Sequence, residues 1–354
     1  MNKKVMVAMS GGVDSSVAAV LLKESGCEVC GVTFSMFDRT DKNFVGCCDG
    51  DEAARAASVC ADLNIGHYTV DVSADFKACV IDEFVNSYIN GFTPNPCIQC
   101  NKHIKFPKML DFAEHSGFTH IATGHYVERC FDSVSGRYII KKAKDSSKDQ
   151  TYVLYNLTQQ QLAHTLFPLG GFTKDEVRQS ALENGLINSH QKDSQDICFI
   201  PDGRYAEFIE RYLGKPSPDG DFVSVSGEIL GRHKGIIRYT SGQRKGLGIA
   251  LGKPQFVISK DAEKNRVVLG DEQYLFTKRV EVKDCNYIAV RKPKNNLRVS
   301  VKTRYNQKEQ PAVLIPISEN RVLVEFDNPQ KAVTAGQSAV FYSDDIVVGG
   351  GIIV

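Results

Sequence analysis

A chain of 354 residues with 42% hydrophobic and 24% charged content has the composition of a soluble globular protein and is too long for one ordinary core. Two or three domains are therefore expected. No apolar run approaches the ~18 residues that span a bilayer, and Met1-Asn2-Lys3-Lys4 runs straight into an apolar strand without the layout of an export signal. Eleven cysteines, an odd number, then imply reduced thiols in the cytoplasm. The net charge of +1 conceals a gradient: residues 1–100 hold 7 Lys/Arg against 13 Asp/Glu, whereas residues 278–308 hold 10 against 2. Six more Lys/Arg and His233 lie between Gly231 and Lys253 with no acid. Such segregation suits a polyanion facing the later domains; a solvated basic surface is the alternative.

In chain order, Val5-Met6-Val7-Ala8-Met9 reads as a buried parallel strand and residues 16–23 as a helix stopped by Gly26. Between them stands Ser10-Gly11-Gly12-Val13-Asp14-Ser15-Ser16. A strand, a glycine-rich turn and a helix N-terminus aim several backbone N–H groups at one anion. There is no G-x-x-x-x-G-K-[ST] and no G-x-G-x-x-G, so neither a Walker loop nor a dinucleotide fingerprint is present. S-G-G-x-D-S-S after a strand looks like the pyrophosphate loop of enzymes that split ATP into AMP and pyrophosphate; the bland alternative is a βα turn rich in Gly and Ser.

Strands over 28–37, 67–72 and 120–123 alternate with helices over 51–63, 74–89 and 103–115. This pattern predicts an α/β domain with a doubly wound parallel sheet, its ligands at the carboxyl ends of the strands. Residues 127–144 read as a hairpin, and Thr173-Lys174-Asp175-Glu176 as a capping box opening a helix. A change of character follows Pro201, and short alternating runs from about Leu275 predict a small C-terminal β-barrel. The expected division is 1–200 catalytic, 201–275 central and 276–354 barrel.

Two cysteines stand out. Thr93-Pro94-Asn95-Pro96-Cys97-Ile98-Gln99-Cys100-Asn101-Lys102 reads as a rigid loop before a helix, with the helix dipole, Lys102 and Lys105 favouring the Cys100 thiolate. Cys198, in Ser194-Gln195-Asp196-Ile197-Cys198-Phe199, follows a polar stretch able to fold over a site. Cys60 and Cys79 fit buried hydrophobes. A four-cysteine zinc site using Cys27 and Cys30 is disfavoured, because their side chains should diverge. The adjacent Cys47 and Cys48 carry no reading.

The loop, N-P-C-x-x-C-N-K, A-T-G-H-Y, K-D-Q-T-Y and S-Q-D-I-C-F together resemble the bacterial tRNA-specific 2-thiouridylase family, which belongs to the PP-loop ATP pyrophosphatases. The likeness continues through G-x-x-x-G-x-H-x-G at 227–235, R-Y-T-S-G-Q-R-K-G-L-G-I at 238–249 and A-G-Q-S-A-V-F-Y at 335–342. It implies that ATP, with Mg2+, adenylates the 2-carbonyl oxygen of the wobble uridine (position 34), and that a cysteine persulfide supplies the sulfur. By this resemblance Cys198 carries the persulfide and Cys100 is its partner and nucleophile, a disulfide joining them within the cycle. Ala8, Met9, Ser10, Gly11, Gly12, Val13, Asp14, Ser15 and Met36 would hold ATP, with Gly124 beside the adenine. Asn95, Pro96, Cys97, His125, Lys148, Asp149, Gln150, Arg304, Tyr305 and Gln337 would hold the tRNA. The partners implied are tRNA and a persulfide donor, either a cysteine desulfurase or a sulfur-relay protein, in the cytoplasm and away from membranes.

The family's better-known members carry Asp at the position of Cys97, suggested as general base, so the acid–base assignment departs here. An iron–sulfur cluster on Cys97, Cys100 and Cys198 is a second reading behind thiols without a cluster. Two rival functions remain: a synthetase-like PP-loop enzyme adenylating a small molecule, and an ATP-dependent tRNA-binding protein without sulfur chemistry.

Overall fold

The structure, a computed structural model, describes residues 3–38, 51–189, 191 and 196–354; Cys47 and Cys48 lie outside them. In chain order the first strands and helices are β1 (Lys4–Ala8), α1 (Val13–Glu24), β2 (Glu28–Ser35), α2 (Asp51–Asp62) and β3 (Gly66–Asp71). Next come α3 (Ser73–Phe76) and α4 (Asp82–Ile89), joined through a π turn over Lys77–Ile81. α5 (Pro96–Cys100) and α6 (Phe106–His115) are likewise joined through a π turn over Asn101–Lys105. β4 (His120–Ala122), the hairpin β5 (Val127–Asp132) and β6 (Arg137–Lys142), α7 (Gln159–Ala163), β7 (Thr165–Leu166) and α8 (Lys174–Glu183) complete this part.

The expected parallel sheet forms, in the order β3-β2-β1-β4-β7. β1 is central, and its two faces bury different residues because side chains alternate along a strand. Val5 and Val7 face a core shared with Val17 and Val20 of α1, Val59 of α2 and Val177 of α8. Met6 faces a second core with Ile98, Phe106 and Met109. The order reverses between β1 and β4, which opens a crevice at their carboxyl ends.

The cysteine-bearing stretch is helical rather than a loop. Asn95 caps it, its Oδ1 accepting from the Cys97 and Ile98 amides at 3.1 and 3.4 Å. Pro96 at the first helical position needs no amide partner and has its φ already set. The helix therefore starts at Pro96, seven residues before the expected 103.

After α9 (Tyr205–Leu213), β8 (Gly220–Ser224), β9 (Ile229–His233), β10 (Phe256–Asp261) and β11 (Arg266–Gly270) form a four-stranded sheet ordered β10-β11-β8-β9. Its Phe222, Val257 and Leu269 share one core with Phe84, Cys100 and Phe199 of the preceding part. β12 (Phe276–Tyr287), β13 (Leu297–Lys302), β14 (Gln310–Ser318), β15 (Arg321–Lys331), β16 (Ser338–Ser343) and β17 (Ile346–Ile353) make an antiparallel barrel, closed by pairing of β12 with β17. The hairpin β5–β6 extends this sheet through the Ile346–Lys141 bridge, across the expected boundary between first part and barrel.

Side chains fasten the seams. The Tyr152 hydroxyl donates to the Ser338 carbonyl at 2.8 Å. Gln337 Nε2 donates to the Thr93 carbonyl at 2.8 Å. Arg304 Nη2 reaches the Ser241 and Ala332 carbonyls and Thr334 Oγ1, at 3.2, 2.6 and 2.7 Å. Arg304 thus ties the central sheet's loop to the barrel. Arg304→Ala should remove about 1–3 kcal/mol by breaking this bridge and leaving the Ser241 carbonyl without it, while Thr334 Oγ1 keeps its 3.0 Å bond to the Ala332 carbonyl, seen as a fall of a few degrees in the thermal midpoint by calorimetry.

Candidate nucleotide and thiol site

The loop after β1 is built from the inside. Gly11 has φ +75°, where a side chain is strained, and a Cβ there would stand 2.8 Å from the Glu52 carbonyl oxygen. Gly12 is the N-cap of α1 at φ −86° and ψ 164°, a conformation open to any residue. It accepts no strain, and a Cβ on it would meet only Ser10 Oγ at 3.4 Å. No side chain caps α1 at this position, so the amides of its first turn face the crevice. The loop holds its shape through Ser15 Oγ donating to the Gly12 carbonyl at 3.0 Å, Ser16 Oγ donating to the same oxygen at 3.1 Å and Asn188 Nδ2 donating to the Gly11 carbonyl at 2.8 Å.

β4 delivers the opposite wall. A Cβ on Gly124 would stand 2.9 Å from both the Asp14 carbonyl carbon and the Ser15 nitrogen, so only a glycine lets this turn lie against the loop. Ala8, Met9 and Val13 are placed by β1 and α1, with Met9 and Val13 buried in the core. Met36 follows β2 on the same carboxyl edge, half-buried. The ten residues expected around ATP therefore gather at one edge of the sheet.

Three residues missed by the sequence reading complete this pocket. Lys174 Nζ donates to Asp14 Oδ1 at 2.7 Å, and the Tyr126 hydroxyl donates to the same oxygen at 2.7 Å. Asn188, fully within the protein, bridges Gly11 and Ser16. Lys174 was visible only as part of a capping box, and Tyr126 as the last letter of A-T-G-H-Y; nothing local marks Asn188.

The thiols lie on the other side of the β4 turn. Cys100 is 5% exposed, in the core with Phe84 and Phe199. Cys198 is exposed, and the next residue, Phe199, anchors it with rings edge-on to Phe84 at 5.3 Å and Phe76 at 6.0 Å. Cys97 is exposed, and no described cysteine is in a disulfide. Lys105 brings the three together: burial pulls its pKa down, but Cys100, Cys97, Cys198 and Glu52 outweigh it and hold the ammonium charged. Lys105 is the last residue of the π turn over Asn101–Lys105 that follows Cys100.

The thiolate expected at Cys100 is not what the fold favours. Burial pushes its thiol up, Lys105 draws it back only in part, and Cys97 adds to the rise. Desolvation outweighs the helix dipole here because the side chain points into the core. His125, also half-buried, stands 2.7 Å from Thr123 Oγ1 with its ring against Phe106. Burial, helped by the Lys105 charge, pushes its pKa down to about 3, so it stays neutral at every working pH.

The residues expected at tRNA lie along one seam, several with partners inside the protein. Gln150 Oε1 accepts from the Tyr126 amide at 2.9 Å, and Asp149 Oδ2 accepts from Thr151 Oγ1 at 2.6 Å. The exposed Tyr305 donates to the Asp149 carbonyl at 3.1 Å and feels the charge of Cys97. Gln337 holds the Thr93 carbonyl just ahead of Asn95 and Pro96, and Lys148 is half-buried beside Asp149. Arg304 faces the barrel seam described above. Among the described residues no trio of His, Cys, Asp or Glu side chains converges closely enough to hold a metal ion. Nor is any described helix long and apolar enough to cross a membrane.

A pyrophosphate-type loop at the switch point of a parallel sheet, thiols beyond the same turn and a barrel behind define an ATP-using PP-loop enzyme with an appended β-barrel. Matches to known proteins narrow the class. Residues 3–202 match a domain model described as a tRNA methyl transferase HUP domain, 206–271 a tRNA methyl transferase PRC-barrel domain, and 277–353 an aminomethyltransferase β-barrel domain. The tRNA-specific 2-thiouridylase MnmA of Acetivibrio thermocellus is 50% identical over 355 residues, spanning 99% of this chain and 99% of its own. That of Clostridioides difficile is 48% identical, spanning 100% of this chain and 98% of its own. The chain belongs to the tRNA-specific 2-thiouridylase family.

Two outcomes follow from this geometry. Gly11→Ala should cost at least ~1–2 kcal/mol from the left-handed backbone alone, whereas Gly12→Ala should cost a few tenths; calorimetric melting separates them. Iodoacetamide labelling followed by mass spectrometry should modify Cys97 and Cys198 first, and Cys100 only as the pH climbs past the ordinary thiol range.

Proposed function

We propose that this chain carries out ATP-dependent 2-thiolation of the wobble uridine of tRNA in the cytoplasm, with its loop, cysteines and seam in the roles given below. One observation carries the reading: two adjacent residues of the turn after β4, Gly124 and His125, look toward the loop and toward the thiol-side lysine respectively. Gly124 lies against Asp14 and Ser15 of the loop, and the adjacent His125 lies within electrostatic reach of Lys105, the cation shared by Cys97, Cys100 and Cys198. A substrate carbonyl in the crevice between β1 and β4 would meet ATP on one side and sulfur on the other.

ATP binds with its phosphates on the amides at Ser10–Ser15 and its adenine toward Gly124 and Met36, Mg2+ entering with it beside Asp14. Adenylation turns the uridine 2-oxygen into a good leaving group, AMP, and expels pyrophosphate. Cys198 is exposed and so accessible to a persulfide donor, a cysteine desulfurase or relay protein. With Cys198 as the persulfide, Cys100 attacks its inner sulfur. The S–S bond to the terminal sulfur breaks, a Cys100–Cys198 disulfide forms and hydrosulfide departs toward carbon 2. Hydrosulfide adds there, AMP leaves, and a two-electron thiol reductant restores both cysteines. Lys105 stabilises the anionic sulfur at each stage, offsetting the burial that disfavours the Cys100 thiolate.

His125, neutral, is a hydrogen-bonding group rather than a phosphate-binding cation, and Cys97 stands exposed next to half-buried Asn95 and buried Pro96, within electrostatic reach of Tyr305. The wobble base must leave its stack to enter, and the seam of Lys148, Asp149, Gln150, Arg304, Tyr305 and Gln337 is where the anticodon arm would lie. Methyl transfer, named in two of the matching domain models, has no use for a pyrophosphate loop or for two thiols around one lysine.

The test is mass spectrometry of tRNA nucleosides after incubation with ATP, Mg2+ and a persulfide donor. Wild type should form 2-thiouridine. Cys100→Ser and Cys198→Ser should lose it by ~10³-fold or more while still releasing pyrophosphate in the presence of tRNA. Full thiolation by either variant would refute the sulfur assignment.

A further inference from the structure

The basic excess of residues 278–308 is larger than the seam accounts for. Arg304 has its guanidinium on the Ser241 and Ala332 carbonyls and Thr334 Oγ1. Arg279 and Arg298 are ion-paired to Glu325 and Asp327 of β15, and Lys302 lies over the Tyr342 ring at 5.7 Å. Arg291, Lys292 and Lys294 differ. All three are exposed on the loop between β12 and β13, and none is ion-paired among the described residues. The fold brings a fourth cation to them from far earlier in the chain. Arg137 opens β6, and its Nε and Nη2 donate to the Ile288 and Tyr287 carbonyls at 2.7 and 2.9 Å. Those bonds pin the guanidinium at the root of the loop. Arg137, Arg291 and Lys292 then line one cleft, in which the single carboxylate, Glu319, is ion-paired to none of them. Burial and the nearby Arg291 charge both draw the Arg137 pKa down, so the two guanidinium groups repel. Like charges gathered in this way cost stability until an anion sits between them.

The place of this cluster in the fold, and its lining, point to the kind of anion. β13 runs from Leu297, next to the loop, to Lys302, just ahead of Arg304 and Tyr305. Its six residues at ~3.3 Å each set the two ends of the barrel roughly 20 Å apart. A small anion held in the cleft would leave Lys294, which is not part of the lining, without a use. A protein partner needs an apolar centre, and Val290 is the one aliphatic side chain that the cleft offers. A sugar–phosphate backbone asks instead for a row of cations, with guanidinium forks that match phosphate oxygens. We infer that the far end of the barrel, through Arg137, Arg291, Lys292 and Lys294, binds the backbone of tRNA outside the anticodon stem-loop. The inference rests on tRNA as the substrate and adds a contact apart from the seam proposed for the anticodon arm. Backbone contacts carry no sequence information, but they fix orientation. Held at both ends of the barrel, the RNA has one direction in which to cross it, and the wobble base arrives in register.

The experiment measures binding of an unmodified tRNA with a wobble uridine, and of its isolated anticodon stem-loop, by fluorescence anisotropy between about 50 and 200 mM salt. The triple variant Arg291→Gln, Lys292→Gln, Lys294→Gln should weaken whole tRNA about 10-fold or more and flatten the slope of log K against log salt by about 2–3. Stem-loop affinity should stay where it was, a split that general damage to the barrel would not produce. The thermal midpoint of the variant should be no lower than that of wild type, because a repulsion is lost rather than a contact. Arg291→Lys with Lys292→Arg, which keeps the charge, should stay within a few-fold of wild type for whole tRNA. Hydroxyl-radical cleavage of the bound tRNA should show riboses outside the anticodon arm protected by wild type and uncovered with the triple variant. Equal loss for stem-loop and whole tRNA would put the patch at the seam and overturn the inference. Undiminished binding of whole tRNA would overturn it too, and leave free phosphate or an acidic protein as the anion. A wild-type chain that binds whole tRNA through this patch yet forms no 2-thiouridine would sink the proposed reaction and leave this result standing.

Discussion

The close approach of two backbones at Gly124 is the constraint on which the site depends. With any other residue there, the turn after β4 would collide with the peptide joining Asp14 to Ser15. Because the two segments touch main chain to main chain, the loop is defined from both sides: by its own serines and Asn188 within, and by the β4 turn without. The same turn borders the crevice at the switch point of the sheet, and its next residue, His125, lies against Phe106 and near Lys105, just past the helix that carries Cys97 and Cys100. A few ångströms of slack here would move His125 and Lys105 away from the loop that Gly124 touches.

The thiol half is held by packing rather than by polar bonds. Phe199 is clamped among Phe76, Phe84 and Phe208, and Cys100 lies in the same cluster. Burial gives Cys100 a fixed position at the cost of a harder ionisation, and Lys105 partly offsets that cost. Cys198 is exposed and Cys100 buried, so in the proposed reaction the first would meet an external donor while the second stays sheltered from it. The central sheet contributes Phe222, Val257 and Leu269 to this cluster, so the part that follows Cys198 also stiffens the site that precedes it.

Much of this was legible in the sequence, for identifiable reasons. β1 and the loop announce themselves because a doubly buried strand is a continuous apolar run and its turn is short. The barrel shows as alternating runs such as Val299-Ser300-Val301, and the Thr173–Glu176 box is a local pattern that the structure reproduces in full. What escaped is what long-range contacts decide. Lys174 pairs with a residue far earlier in the chain. Asn95 was read for its place beside a substrate, and the fold also makes it the cap that starts a helix earlier than periodicity indicates. Local charge and dipole argued for a Cys100 thiolate, and only the three-dimensional core shows desolvation winning. Of the two loop glycines, φ alone tells which one is conformationally obligatory, and φ is not written in the sequence.

The hairpin β5–β6 belongs by sequence to the sheet-and-loop part, yet its neighbour on the inner, barrel-facing side is β17, the last strand of the chain. During synthesis on the ribosome, β6 emerges long before the strand it pairs with. Its inner edge waits unpaired while the central sheet and five barrel strands are made. An unsatisfied strand edge is a site for wrong pairing. Cys130 and Phe131, an exposed aromatic, travel on that hairpin through the interval. The cellular exposure of this molecule to misassembly is thus governed by the time taken to translate the barrel, and slow codons within β12–β16 would lengthen it.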